Sequence, residues 1–202
     1  MSRNSQAQKQ QMRIRIAQQA ARLMAEDGVQ DYAAAKRKAA RQLGTPDSHS
    51  LPTNGEIEQE LRSYQALYQR DEQRERLRFL RQQALAAMEL LELFDPRLTG
   101  SVLNGTATRH SDINLHVFPE SAKELEMFLL NRKMRYKYSE KRFHFGNEIR
   151  MIPILMLHEA GAAIEVAIFS LDDLRRAPRA PVEGRPMDRA KPHQVRALLA
   201  MD

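Results

Sequence analysis

Apolar residues recur every three or four positions through the first half of this chain, and every second position through much of the rest. Ile14, Ala17, Ala21 and Met24, with Ile16, Ala20 and Leu23, form a helical stripe that Gly28 ends. Asp31 is placed to cap a second helix over Ala33–Leu43, closed by Gly44 and Pro46. The stretch GTPDSHSLPTNG reads as a linker, and Thr53-Asn54-Gly55-Glu56 has the spacing of a capping box. A helical pattern then runs from Glu56 to about Leu93. Ile57, Leu61, Tyr64 and Tyr68 form one stripe, and Leu77, Leu80, Ala84, Met88 and Leu91 another. The polar tract QRDEQRER between them predicts a break near Arg70–Asp71.

Asp95-Pro96 ends the helical region, and the period changes. Arg97–Thr99 can form a short strand, and His110–Phe118 alternates between apolar and polar residues. Ser121-Ala122-Lys123-Glu124 repeats the capping-box spacing ahead of a helix with Leu125, Phe128 and Leu129 on one face. Strands are expected over Tyr136–Glu140, Arg142–Phe145, Ile149–Leu157 and Ala163–Phe169. The last two are joined by a turn at His158-Glu159-Ala160-Gly161. Pro153 predicts an edge position or a bulge. The Pro/Arg-rich tail is expected to wrap the surface and end in a helix over Gln194–Met201. The expected organisation is a basic helical segment (1–46), further helices (47–94), an α+β domain (95–175) and the tail (176–202).

Composition sharpens this picture. The 202 residues are 42% hydrophobic, with a mean hydropathy of −0.60 and no cysteine. That suffices for a core and excludes disulfides and thiolate metal sites. No apolar run reaches the roughly 18 residues of a membrane span, and the polar N-terminus lacks a signal-peptide core, so a cytoplasmic location is the expectation. Charge is uneven. Residues 1–46 hold nine Lys/Arg against three Asp/Glu, 47–94 hold six against nine, and 95–202 hold seventeen against fourteen. The basic surplus, including Lys36, Arg37, Lys38 and Arg41 on the second helix, is compatible with a nucleic-acid or phosphate partner. It is equally what ordinary solvated helices packing on a larger domain would show.

The chemistry concentrates in TGSVLNGTATRHSDINLHVF, Thr99–Phe118. On the expected strand, Ile113, Leu115 and Val117 share one face, and Asp112, Asn114, His116 and Phe118 the other. In AAIEVAIF, Glu165 lies between Ala163 and Ala167 on the face opposite Ile164, Val166 and Ile168. If the two strands are neighbours, Glu165 can join Asp112 and Asn114 as oxygen ligands for Mg²⁺. Upstream, the Gly100-Ser101 turn offers backbone N–H groups and a hydroxyl to phosphate.

These residues resemble the signature of the nucleotidyltransferase superfamily related to DNA polymerase β. That signature is a Gly-Ser followed about ten residues later by Asp-x-Asp, often with a Gly-Thr and a Ser-Asp inside it. Gly100, Ser101, Gly105, Thr106, Ser111 and Asp112 match it, and Glu165 is the candidate for the family's third carboxylate. The resemblance covers about Asp95–Ser170. It implies a mixed β-sheet with flanking helices, preceded here by an all-helical N-terminal region. It further implies an NTP held through Gly100, Ser101, Gly105, Thr106 and Ser111, and Mg²⁺ or Mn²⁺ held by Asp112, the residue at 114 and Glu165. Asp112 and Glu165 would be catalytic, with transfer of an NMP group to an RNA, protein or small-molecule acceptor.

The chain departs from the family where its second Asp is replaced by Asn114, which offers a neutral oxygen. His116 shares that face and could ligate Zn²⁺ or Mn²⁺, or could be a polar residue on a half-exposed strand. Arg109 and His110 beside the turn, and Arg142, His144 and Arg150 on later strands, are further phosphate or RNA candidates. Three readings follow: an active nucleotidyltransferase, a degenerate member kept for binding a nucleotide, RNA or protein, and a nucleic-acid regulator working through its basic N-terminal helices.

Overall fold

The computed structural model describes residues 3–45, 51–68, 70–182 and 184–201. Its chain order is α1 (Arg3–Glu26), α2 (Tyr32–Gln42), α3 (Asn54–Tyr68), α4 (Arg70–Leu90), β1 (Arg97–Thr99), α5 (Gly100–Asn104), β2 (Ile113–Val117), α6 (Ala122–Asn131), β3 (Tyr136–Phe145), β4 (Glu148–Glu159), β5 (Ala162–Ile168) and α7 (Pro192–Met201). Two compact units divide the chain. The first holds Met1–Gln73, Thr108–Ser111 and Pro181–Glu183. The second holds Arg74–Ala107, Asp112–Ala180 and Gly184–Asp202.

Helices α1, α2 and α3 make up the regular structure of the first unit among the described residues. α1 starts at Arg3, well before the apolar stripe that begins at Ile14, because Arg, Gln, Lys and Ala extend a helix readily without Gly or Pro to stop them. Gly28, at φ +71°, follows its end. A Cβ there would lie 2.8 Å from the His110 ring. Asp31 caps α2 by accepting the Ala34 N–H at 2.7 Å. Residues 46–50 of the expected linker lie outside the described residues. Ile16, Ala17, Ala20, Ala21, Ala35, Ala39, Ile57 and Leu61 form the core, whose many alanines let the helix backbones approach closely. Thr53 and Glu56 form the expected capping box. Glu56 accepts the Thr53 N–H at 2.6 Å, and Thr53 Oγ1 accepts the Glu56 N–H at 3.2 Å. Arg13 clasps the same carboxylate at 2.8 and 2.8 Å, tying α1 to the start of α3, and holds the Glu56 carboxyl down to about 2. Tyr64 donates to Glu26.

The second unit is α+β. Its five-stranded mixed sheet has the order β1-β2-β5-β4-β3, with β2 and β5 parallel and the other pairs antiparallel. One face carries the main core. Ile113, Leu115, Ile164, Val166 and Leu155 of the sheet meet Leu80, Ala84 and Met88 of α4, Val102 of α5, Leu125 and Leu129 of α6, and Val195 of α7. The opposite face carries a smaller aromatic core of Phe118, Phe143, Phe145, Ile152, Ile154 and Phe169.

Several sequence expectations are corrected. β2 begins at Ile113 rather than His110, because Thr108–Ser111 closes a turn in which Ser111 N–H donates to Thr108 O at 3.1 Å and Thr108 N–H to Ser111 Oγ at 2.9 Å. The two expected strands across 136–145 are one. Pro153 is inside β4, not on an edge strand, but the β5 ladder ends at Ile154, so its missing N–H breaks no bond there. Ser121 accepts the Glu124 N–H, but the Glu124 carboxylate bonds Glu120 N–H, leaving half a capping box. The tail does more than cover surface. Ala190 exchanges backbone hydrogen bonds of 2.9 and 2.8 Å with Leu98, extending the sheet beyond β1.

Candidate functional site

The register decides what faces what. Asn114 of β2 lies directly opposite Glu165 of β5 on one side and Thr99 of β1 on the other. Directly paired residues share a face. Thr99, Asn114 and Glu165 therefore form a polar row on the face away from the main core. Asp112 stands immediately before β2, half-buried, two residues from Asn114. Asn114 Nδ2 points back to the Asp112 carbonyl at 3.4 Å.

Glu165 already has a cation. Its Oε1 accepts from Lys141 Nζ at 2.7 Å, with the Lys141 side chain 52% exposed and Glu165 15%. Lys141 reaches it from β3 across β4, because Lys141, Phe143 and Phe145 alternate onto this face. Nothing in the local sequence marks Lys141; only the strand order brings it to Glu165. Thr99, 1% exposed, has an Oγ1 with no hydrogen-bond partner among the described residues.

The upstream turn sits where β1 meets α5. Gly100 adopts φ +75°, and a Cβ there would lie 3.1 Å from Asn114 Nδ2. Gly105 ends α5 at φ +79°, and its N–H and that of Thr106 both reach Ser101 O. Gly100 and Gly105 are thus required by the backbone whatever the turn binds. Gly100→Ala is expected to cost about 1–2 kcal/mol from the left-handed conformation alone, with Asn114 displaced as well. A urea melt with an unchanged midpoint would overturn both the backbone cost and the close approach to Asn114. Thr106 is buried, and Ser111 is engaged within the Thr108–Ser111 turn.

His116 corrects the expectation of a half-exposed strand residue or a metal ligand. It is 2% exposed and packed against the Phe169 and Phe143 rings at 4.4 and 5.8 Å between centroids. Arg189 of the tail donates from Nε to His116 Nδ1 at 3.0 Å, so Nδ1 is an acceptor and the ring proton belongs on Nε2. Burial first, then the charges of Arg189 and Lys141, push the His116 ring well below its usual range. Arg189 also donates from Nη1 to Asp173 O at 2.6 Å and lies 5.1 and 5.2 Å from the Phe118 and Phe169 rings. Burial lowers the Arg189 guanidinium to about 10, and its Nη2 has no partner among the described residues.

The other basic candidates are placed elsewhere. Arg150 forms a two-pronged pair with Asp173 at 2.7 and 3.3 Å and stacks 3.6 Å from the centre of the Phe145 ring. Burial pushes the Asp173 carboxyl up, but its bonds from Arg150 and Ser170 outweigh this and the net shift is down. Arg142 and His144 are exposed and alternate onto the face opposite Lys141 and Glu165. Arg109 donates to the last carbonyl of α1, Glu26 O, at 2.7 Å.

Of the three residues expected to hold metal, Asp112 and Glu165 are carboxylates and Asn114 is a neutral amide. No group of three or more His, Cys, Asp or Glu able to hold a metal ion occurs among the described residues. Asn114 carries no charge, and the Glu165 carboxylate is bonded to an ammonium. Two adjacent Mg²⁺ ions need shared carboxylates to offset their repulsion. No helix among the described residues is long and apolar enough to cross a membrane.

No known protein-family profile matches the chain, and no curated protein matches it. Among solved structures it is similar to that of a cytoplasmic RNA terminal U-transferase, at 18% identity and a TM-score of 0.29. The likeness covers 57% of this chain and 30% of that one. The chain therefore spans under a third of that structure, and the functional reading rests on its own residues.

Proposed function

We propose that this chain is a nucleotidyltransferase-like protein whose site binds the phosphates of a nucleotide without sustaining NMP transfer. The observation that carries this reading is the pairing of Glu165 with the neutral Asn114 on one strand and with Lys141 Nζ at 2.7 Å from another. The order strand, helix, strand, helix and further strands, with Gly100-Ser101 at the first junction and Glu165 beside β2, supports the superfamily part of the proposal.

In this reading Lys141 supplies the positive charge that a metal ion supplies in an active site of this type. The ammonium neutralises Glu165 when the site is empty of ligand. Being half-exposed on a flexible stem, it can turn to a phosphate oxygen when one arrives. Gly100, Ser101, Gly105 and Thr106 are the proposed phosphate-side residues.

The second reading is metal-dependent transfer of NMP from an NTP to an RNA, protein or small-molecule acceptor, with Mg²⁺ or Mn²⁺ on Asp112, Asn114 and Glu165. It is favoured by the survival of two acids, Asp112 and Glu165, in the matching positions. Calorimetric titration with ATP, GTP, CTP and UTP, with and without Mg²⁺ or Mn²⁺, separates the two when paired with pyrophosphate release. The wild type is expected to bind at least one nucleotide without added metal and to release no pyrophosphate. Asn114→Asp combined with Lys141→Met restores the acid and removes the competing cation. It is expected to gain Mn²⁺-dependent nucleotide binding of about a hundredfold, the equivalent of roughly 3 kcal/mol. Wild-type turnover that Asp112→Asn abolishes would replace the binding reading with the transfer reading. No nucleotide bound by either protein would sink both.

A further inference from the structure

We propose that the N-terminal helical unit binds the phosphate backbone of a nucleic acid through Arg15 on α1 and Arg37 and Arg41 on α2. The proposal stands on different residues from the nucleotide site and does not depend on it.

The surplus of positive charge in residues 1–46, nine Lys/Arg against three Asp/Glu, is only partly neutralised by the fold. Arg13 pairs with Glu56, Arg22 with Glu26 and Lys38 with Asp27. Asp31 is occupied as the cap of α2. Lys9, Arg15, Lys36, Arg37 and Arg41 have no anionic partner among the described residues, and of these Lys36 is half-buried, its charge disfavoured first by that burial.

Packing gathers three of the rest. Ala35 and Ala39 turn one side of α2 into the core, so Arg37 and Arg41, one helical turn apart, project from the opposite side. Two contacts fix how α2 lies on α1. Lys38 Nζ meets Asp27 at 2.8 Å, and Gln19 Nε2 donates to Gln42 Oε1 at 2.8 Å. The helices therefore run in opposite directions, and the end of α2 that carries Arg41 comes beside Gln19. Arg15 is one turn before Gln19 on the same side of α1. Arg15, Arg37 and Arg41 are all exposed, on the two helices that the Gln19–Gln42 bond joins.

The chemistry of this surface selects the partner. Guanidinium and amide N–H groups donate to phosphate oxygens, and Arg does so with two donors at once. The exposed positions of α2 are Ala33, Arg37, Lys38, Arg41 and Gln42, with no large apolar side chain to insert into a lipid surface or fill a protein pocket. A repeated phosphate backbone needs only the cations and donors that are present.

The test uses the full chain and fluorescence anisotropy with a labelled single-stranded RNA and a labelled duplex DNA of arbitrary sequence. Three phosphates neutralised predict that affinity falls about 20- to 40-fold between 50 and 200 mM salt. The triple variant Arg15→Gln/Arg37→Gln/Arg41→Gln is expected to lose both the binding and its salt slope while keeping the wild-type circular dichroism and melting point. Two comparison variants should bind as the wild type does: Lys133→Gln/Arg135→Gln/Lys137→Gln around the start of β3, and Lys123→Gln, exposed at the start of α6. Retention of binding by the triple variant overturns the proposal, as does loss confined to either comparison variant. Absence of salt-sensitive binding by the wild type overturns it too. So does wild-type binding to phosphatidylserine vesicles that the triple variant loses while oligonucleotide binding is unchanged.

Discussion

Replacement of Arg189 by methionine is expected to lower folding stability by about 2 kcal/mol, measured as a drop in the urea midpoint at constant slope. Methionine keeps most of the stem volume but removes two donors. The Nε bond to His116 Nδ1 (3.0 Å) and the Nη1 bond to Asp173 O (2.6 Å) are both lost. Each leaves an acceptor in a largely dry environment, which costs about 1–3 kcal/mol. The ring contacts with Phe118 and Phe169 go as well. An opposing effect limits the loss. Burial already lowers the Arg189 guanidinium to about 10, so its charge is held there at a cost that methionine relieves. A midpoint unchanged or raised in Arg189→Met would mean that this relief dominates and that the tail is held by Ala190 and Leu98 alone.

The second large effect is a pH dependence centred on His116. Its folded-state ring titrates well below the usual value near 6.5, for which burial is the leading cause. The unfolded chain therefore binds a proton that the folded chain refuses. Stability from this group is complete above about pH 6.5 and is lost as pH falls below it, at up to about 1.4 kcal/mol per pH unit until the folded value is reached. The groups around the ring all act in one direction or are already compensated. Arg189 and Lys141 both disfavour a charged imidazole, Arg97 opposite His116 is tied to Asp95 at 2.6 Å, and the Asp173 carboxylate is taken by Arg150. Chemical denaturation of wild type and His116→Gln at pH 7.5, 6.5, 5.5 and 5.0 tests this. Glutamine can still accept from Arg189 but does not titrate, so its stability should stay nearly flat across the range where the wild type declines. Parallel slopes in the two proteins would assign the acid sensitivity to other groups.

Both effects involve the tail, whose role is not visible in its sequence. Pro/Arg-rich segments usually lie on surfaces, and nothing in RPMDRAKPHQ distinguishes Arg189 from its neighbours. The position matters because Ala190 pairs with Leu98, which fixes the direction of the preceding side chain toward the aromatic face. His116 is hidden for a related reason. Alternation puts it on the face away from Leu115, and no local pattern shows that this face is covered. Phe143, Phe145 and Phe169 cover it from strands that sequence alone does not order.

The local signals were legible. Asp31 and Thr53 act as helix caps because a short polar side chain ahead of a helix satisfies free N–H groups wherever it occurs. The stripes of α4 and α6, the turn before β5 and the change of period after Asp95 follow from spacings within one element. Gly100 and Gly105 are legible as turn positions, whereas their left-handed backbone and what Gly100 leaves room for, the Asn114 amide, are not.

The sequence by itself therefore determined most of the elements, though not the start of β2 or the continuity of β3, together with the α+β class of the second unit and the helices of the first, because these depend on neighbours within one or two turns of chain. It also displayed the missing charge at Asn114. Tertiary structure alone decided what surrounds that residue. Pairing β2 parallel to β5 set Glu165 directly opposite Asn114, and placing β3 beyond β4 brought Lys141 onto Glu165. An ion pair between residues 24 positions apart depends on strand order and register, and no local pattern encodes either.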